Sequence, residues 1–462
     1  MLVLVRLLPA DVYGQFGFVT TLLGFLTLFS FREFLGHTLV VRDPDQVHYQ
    51  DHFTAGAAFQ VGVCLVANLV AIGLRWVPAY ADVAPVLHVM SVLFLLDLPS
   101  EFHVKMLERA LDWRRLRLLH GLALVAGGAL SVTLALRGWG VYALLVPTLV
   151  VPVVFGGDLL WRAGWRPTWQ WSWPRFRPAF AYGISRISAG SFVSAASLLE
   201  ASWLSAVGFA AFGVFGRAVA LGQLLCGRVA GLLAQAVFPV LTRIAPRSET
   251  YRRASALYLR AVAWLVAPLA ALAALLAEPI VRLLYGTAWL DVVPLLPWAT
   301  AVAALMAVMQ TGYALLLAHQ QQRRCLKVDA WRLAGTVIAL ATLTGAGLRA
   351  YLMGMAGVYL VSLGLVLYWL HDDLAVTRRA LVAAIAPPVI ATAAAAAGVV
   401  MVRAVEPAGV PTFAASAVEA VVLAIVYVVV LRLAFPGAMA ELVRELPERR
   451  RISRLLLFER SV

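Results

Sequence analysis

Lysine is almost missing from this chain of 462 residues. Only Lys105 and Lys327 carry it, so 36 of the 38 basic side chains are arginine, which reads as the coding bias of a GC-rich bacterial genome. A phosphate-binding loop of the Gly-Lys type needs a lysine directly behind a glycine, and neither lysine has one, which excludes an ATPase site of that kind. Cysteine is scarce too. Cys64, Cys226 and Cys325 stand far apart, without metal-ligand spacing, and an odd count builds no disulfide framework. They read as buried apolar thiols. His88, His120 and His319 are scattered, and the chain holds neither a His-Glu-x-x-His pair nor a Gly-x-Ser-x-Gly elbow. No metal, no cofactor and no catalytic group is expected. Charge is thin as well, at 13% of residues against about 25% in an ordinary soluble domain.

What is abundant is apolar surface. Hydrophobic residues make up 62% of the chain and the mean hydropathy is +0.86, more than a soluble fold can bury. A span plus its connection takes roughly 33 residues, so the chain has room for about 14 spans. Apolar runs such as 121–136 and 415–431 are continuous, which excludes the alternating strands of a porin-type barrel. Gly, Pro and charge clusters divide the chain into spans at 13–31, 54–76, 83–101, 116–136, 140–161, 180–205, 213–239, 256–277, 292–318, 331–349, 354–371, 380–402 and 412–435. Ahead of them stands a stub, residues 1–8. It is too short to span, lacks the features of a signal peptide, and is expected to be the end of a first helix whose start is missing.

Basic residues orient the spans. Loops after even-numbered spans, together with the tail, hold 29 Lys+Arg, and the opposite side holds six. The first group includes Arg32 and Arg42, Arg114 and Arg115, Arg323 and Arg324, and Arg444, Arg449, Arg450, Arg451, Arg454 and Arg460. Both termini are therefore expected in the cytoplasm. The net charge of +14 is a membrane signature here, and no nucleic-acid partner is expected. Arg217, Arg228 and Arg432 lie inside spans.

The chain also resembles itself. Tyr13-Gly-Gln-Phe-Gly17 matches Phe212-Gly-Val-Phe-Gly216 at an offset of 199. Asp82-Val-Ala-Pro matches Asp291-Val-Val-Pro, and Arg114-Arg115 matches Arg323-Arg324, both at 209. Gly140-Val-Tyr142 matches Gly357-Val-Tyr359 at 217. Four matches in one order pair spans 1–6 with spans 7–12. Six spans is an even number, so the halves insert in the same direction, as in transporters that seat substrate between parallel repeats. The expected fold is all-α and polytopic, with about 14 transmembrane helices. The expected parts are an N-terminal lobe over 1–178 with its first helix truncated, a C-terminal lobe over 179–376, two further helices over 377–435, and a basic cytoplasmic tail over 436–462.

Three segments carry a family resemblance. Arg6-Leu-Leu-Pro-Ala-Asp-Val-Tyr-Gly14 resembles the start of polysaccharide-type flippases. Leu107-Glu-Arg-Ala-Leu-Asp-Trp-Arg-Arg115 resembles their first large basic loop, and Glu278-Pro-Ile-Val-Arg-Leu-Leu-Tyr-Gly286 is similar to their outer turn. Together they resemble the oligosaccharide flippases of the multidrug/oligosaccharidyl-lipid/polysaccharide exporter superfamily. The resemblance implies two six-helix lobes around a central cavity. It implies flipping of a polyprenyl-pyrophosphate-linked oligosaccharide across the inner membrane by alternating access, for cell-surface polysaccharide biosynthesis. The implied partners are that lipid-linked substrate, membrane lipids, and the polymerase and glycosyltransferases of the same pathway, around a monomer. A cation-coupled multidrug exporter of the same superfamily and a membrane polysaccharide polymerase or ligase are the alternatives, and lipid II stays open as a substrate.

A pyrophosphate crossing hydrocarbon needs cations inside the membrane, and the guanidinium fork suits phosphate oxygens. Arg228, near the middle of span 8, leads the substrate-binding candidates. Arg217, eleven residues earlier, is expected on the same helical face. Glu200, mirrored across the turn at Gly208, lies at similar depth, so a pair with Arg217 is open. Arg6 and Arg186 are candidates for a cavity mouth. Asp158 with Arg162, and Glu101 with Lys105, read as surface helix pairs. Trp165, Trp169, Trp171 and Trp173 read as an interfacial aromatic belt. Glu419 has no assigned role.

Overall fold

The computed structural model describes residues 2–41, 48–162, 165–405 and 412–444. Arg42 and the tail arginines Arg449, Arg450, Arg451, Arg454 and Arg460 lie outside the described residues, as does the side chain of Arg444. The described residues form helices and no strand, and the chain divides into two compact units, 1–216 and 217–462.

The first unit contains α1 (Leu2–Leu7), α2 (Ala10–Leu26), α3 (Arg32–Leu35), α4 (His37–Val40), α5 (Tyr49–Leu74), α6 (Ala84–Leu95), α7 (Asp97–Arg109), α8 (Trp113–Leu136), α9 (Val141–Arg162) and α10 (Trp173–Val207). It ends within α11 (Phe209–Gly222). Local chemistry sets the breaks. Asp112 caps α8 by accepting the Arg115 N–H at 3.1 Å. Gly208, at φ 150°, takes the backbone between α10 and α11 where a side chain is disfavoured. Helix α8 packs along α9, α5 against α6, and α10 against α2 and α3.

In the second unit a π turn (Gln223–Gly227) leads into α12 (Arg228–Leu241). There follow α13 (Glu249–Leu275), α14 (Ala277–Leu284), α15 (Leu296–Ala318), α16 (Gln322–Leu343), α17 (Leu348–Leu374), α18 (Arg378–Val405), α19 (Thr412–Ala434) and α20 (Pro436–Arg444). Ser248 caps α13, and Ala375 in the left-handed region closes α17 with a Val376 N–H to Leu370 carbonyl bond of 3.1 Å. A core of Trp264, Ala391, Ala395, Val399, Leu423 and Tyr427 joins α13, α18 and α19. Inside it the Tyr427 hydroxyl donates to the Trp264 carbonyl at 2.8 Å, an interhelical bond of the kind worth ~0.6–2 kcal/mol in a membrane.

Eleven of the described helical segments are long and apolar enough to cross a membrane. Leu69, Leu124, Leu232, Met401 and Leu433 stand exposed along them, which suits side chains facing lipid, where no water waits to be excluded. Two expected spans, 180–205 and 331–349, fall on helices α10 and α16, which are long enough but too polar to count among the eleven. Serines at 185, 188, 191, 194 and 197 dilute α10, and Lys327, Asp329 and Arg332 charge α16.

The internal repeat has local counterparts in the fold. Asp82 and Asp291 each sit in a 3-10 segment, Pro78–Val83 and Thr287–Val292, ahead of a long helix with proline in its first turn. Arg114-Arg115 and Arg323-Arg324 each stand in the first turn of a helix. The equivalent glycines Gly14 and Gly213 mark one crossing of α2 and α11. A Cβ on Gly14 would lie 1.8 Å from the Phe209 carbonyl oxygen, and one on Gly213 would lie 1.8 Å from that of Ala10. Backbones that close tolerate only glycine.

Candidate functional site

The segment Phe209–Leu241 reads as one apolar span of 33 residues, and Arg228 stands near its middle. It is not one continuous α-helix. The π turn ends at Gly227, and Arg228 opens α12 directly behind it. In an unbroken α-helix eleven residues would return Arg228 to within about 20° of Arg217. A π turn takes up roughly one extra residue, which swings Arg228 by roughly 100° away from that alignment. The shared face expected for the two arginines is therefore lost. Arg228 is exposed and makes no hydrogen bond or ion pair with another described residue. Arg217 is half-buried and engaged, and its carbonyl accepts the Tyr285 hydroxyl at 3.4 Å.

The π turn, α12, α13 and α15 enclose a cavity of about 560 Å³. Its polar lining is neutral: the amides of Gln223, Gln235 and Gln310, the phenols of Tyr258 and Tyr313, and Thr311. Glycine and alanine, at Gly227, Ala230, Gly231 and Ala234, leave the floor open. Gly227 also makes room for Gln223, since a Cβ there would lie 2.1 Å from the Gln223 Oε1. The Gln223 amide donates to the Met306 sulfur at 3.1 Å. Beside the cavity, Tyr313 donates to Asp329 Oδ1 at 2.9 Å, Arg332 Nη1 donates to the same oxygen at 3.0 Å, and Arg332 Nη2 donates to the Tyr359 hydroxyl at 2.6 Å. All four side chains are buried. Outside the spans, burial pushes the His319 imidazole below its ordinary value, so His319 adds no cation near this region at neutral pH.

The remaining candidates are dispersed. Arg6 is exposed in α1 and engaged with other groups. Arg186, in α10, faces Glu33 of α3 at 3.4 Å. Glu200 is half-buried in α10, within the first unit, whereas Arg217 opens the second. Two expected helix pairs form with other partners. Asp158 is held by Arg115 at 2.9 Å and His103 at 2.7 Å, because α7 and α8 both pack on α9. Glu101 meets Arg32 at 3.1 Å, and Lys105 turns to Glu108 at 2.7 Å. Arg32 also binds Asp97. Near the Asp158 cluster, Arg114, Arg115, Arg162 and Trp161 rim a second cavity of about 750 Å³ between α8 and α9. The aromatic stretch splits: Trp165 stacks on Phe102, while Trp169, Trp171 and Trp173 stay exposed. Among the described residues no group of His, Cys, Asp and Glu could hold a metal ion.

Sequence reasoning missed the Asp329–Arg332 cluster and the partner of Glu419. Asp329 and Arg332 are three apart on one helix, a readable spacing. Glu419 of α19 receives both prongs of Arg403 of α18, at 2.7 Å each. The signal for that pair was mirror spacing about position 411.

Comparison with known proteins places this architecture. The polysaccharide biosynthesis protein family matches residues 3–294. The succinoglycan biosynthesis transport protein ExoT of Rhizobium meliloti (strain 1021) is 22% identical over 299 residues, which is 64% of this chain and 60% of that protein. The chain thus spans about 60% of that relative's length. Among solved structures, the lipid II flippase MurJ in an inward closed conformation superposes with a TM-score of 0.64 at 11% identity, covering 95% of this chain and 97% of that one. An inward-facing multidrug resistance MATE family transporter of the MOP superfamily gives 0.54 at 15% identity, over 81% and 95%. These likenesses show a shared fold.

Proposed function

The chain belongs to the polysaccharide biosynthesis protein family, and from that premise we propose that it flips a polyprenyl-pyrophosphate-linked oligosaccharide across the inner membrane by alternating access. The family match and the fold support a multi-pass membrane protein of transporter type in polysaccharide biosynthesis. One observation supports the lipid-linked glycan as the substrate. Arg228 exposes a guanidinium at mid-span without a counter-ion among the described residues. A charge at that depth is costly unless a cavity or an anion meets it. A pyrophosphate is such an anion, and it accepts both prongs of the guanidinium fork. Arg217, Glu200, Arg6 and Arg186 remain the further candidates for substrate contact. A cation-coupled exporter would want free carboxylates inside the bundle, yet Asp329 and Glu419 each sit on an arginine.

The proposal keeps the parts suggested by the repeat: lobes over 1–178 and 179–376, helices over 377–435 and a tail over 436–462. Both termini are cytoplasmic and the monomer is the working unit. Proteoliposomes loaded with defined polyprenyl-pyrophosphate sugars test the activity. Glycan crossing from one leaflet to the other is expected. Ion-driven efflux of cationic dyes with no glycan crossing would replace this reading by the exporter. Phosphatase fusions test the orientation: one within 320–330 is expected inactive and one within 349–353 active. The reverse pattern would overturn it.

A further inference from the structure

Three glutamines converge on one cavity of a membrane-embedded bundle, and nothing assigned to the chain so far uses them. Gln223 gives its amide to the Met306 sulfur, and polar side chains inside a membrane-spanning bundle are expensive unless a partner meets them. Gln235 and Gln310 are exposed to the cavity, and Gln223 reaches it from the π turn. Single π turns recur at functional sites because they re-aim the residues around them. Here the turn sets Gln223 and Gly227 on the cavity wall and Arg228 next to it.

The chemistry of the lining selects its occupant. An acidic side chain would suit an organic cation, and a basic one an anion, and the lining contains neither. What it offers are chiefly amides, each with two donors and an acceptor, since the hydroxyl protons of Tyr313 and Thr311 are already given to Asp329 and to the Ala307 carbonyl. That set matches a ligand rich in neutral hydroxyls. The floor of glycine and alanine accepts a ring lying flat, and Phe238 adds an aromatic wall. A volume of about 560 Å³ lies within the usual range for small-ligand pockets.

We propose that this cavity of the second unit is a glycan seat, which holds neutral sugar units of the lipid-linked substrate while the adjacent Arg228 meets its pyrophosphate. The inference rests on the flippase reading and names what that site recognises. Gln223, Gln235 and Gln310 bind hydroxyl groups; Gly227 and Gly231 keep the room.

The full chain in nanodiscs free of sugar-headed detergent tests it with two probes. One is bare undecaprenyl pyrophosphate and the other the same carrier bearing a neutral disaccharide. The quantity read is the ratio of their dissociation constants. In the parent the disaccharide carrier binds more tightly. Gln235→Leu and Gln310→Leu are each expected to cut that advantage about five- to tenfold, the usual worth of a lost hydrogen bond or two, and to leave the bare carrier unaffected. Gly231→Phe guards against misfolding. A Cβ on Gly231 meets no heavy atom within 4 Å, so a larger side chain fills the cavity without a clash at its root. It is expected to cost at least about tenfold on the disaccharide carrier alone, by excluding the sugar. A parent that binds both carriers alike, or variants that change melting temperature but keep the parent ratio, would overturn the seat and make the amides interhelical glue. Failure of the flippase reading looks different, because the parent would then bind neither carrier.

Discussion

The two units handle their arginines differently. In the first, four arginines are tied to carboxylates: Arg32 to Asp97 and Glu101, Arg115 to Asp158, Arg175 to Asp51 and Arg186 to Glu33. The second also neutralises charge internally, at Asp329–Arg332 and Glu419–Arg403. It then adds a neutral amide cavity and, next to it, Arg228 with no described partner. A paired arginine has its electrostatic need met by the chain itself. Arg228 does not, which is why it is the group to test for a ligand. The contrast lies between charge that builds the bundle and charge left available.

The largest effect is expected at that available charge. Arg228→Ala should abolish glycan translocation in proteoliposomes. Stability should move by no more than about 0.5 kcal/mol, as for an exposed side chain outside any network. Arg228→Lys should restore part of the rate, since lysine keeps the charge and loses the fork. A stable Arg228→Ala protein that translocates at the parent rate would erase the distinction between the two kinds of arginine at this position.

How much of this was legible depends on which forces each feature answers to. Span placement follows from apolar runs, so most of the spanning helices lie where the sequence puts them. Helices α10 and α16 were readable as helices. Their serines and charges made them poor as apolar spans, and only the packing of α16 on α15 and α17 gives Asp329 and Arg332 a buried home. The π turn was not legible. It begins directly after a close tertiary contact, where Gly222 lies so near α15 that a Cβ would stand 2.9 Å from the Ala299 carbonyl oxygen. Counting residues along an ideal helix therefore put Arg217 and Arg228 on one face. The cavity amides were equally hidden, because Gln223, Gln235 and Gln310 come together only when α12 packs on α15. Arg115, Asp158 and His103 were visible one by one, but their meeting depends on three helices.

The comparison can be sharpened on the structural side with two alanine substitutions. Arg332 is buried, and it bridges Asp329 and the Tyr359 hydroxyl. Removing it strands a buried carboxylate, which typically costs about 3–5 kcal/mol. Arg332→Ala should therefore lose folded protein, seen as a large drop in melting temperature and expression. Adding Asp329→Asn should recover much of the loss, because the charge left behind is then gone. Arg186 in the first unit supplies the counterpart. Its side chain is 59% exposed and its contact with Glu33 is 3.4 Å. Such pairs contribute about 0–1 kcal/mol, so Arg186→Ala should melt within a few degrees of the parent. A loss at Arg186 as large as that at Arg332 would mean that the ends of the first unit depend on their ion pairs as strongly as the interior of the second. Charge would then be structural in both units, and Arg228 would be the one position left on which to rest the distinction.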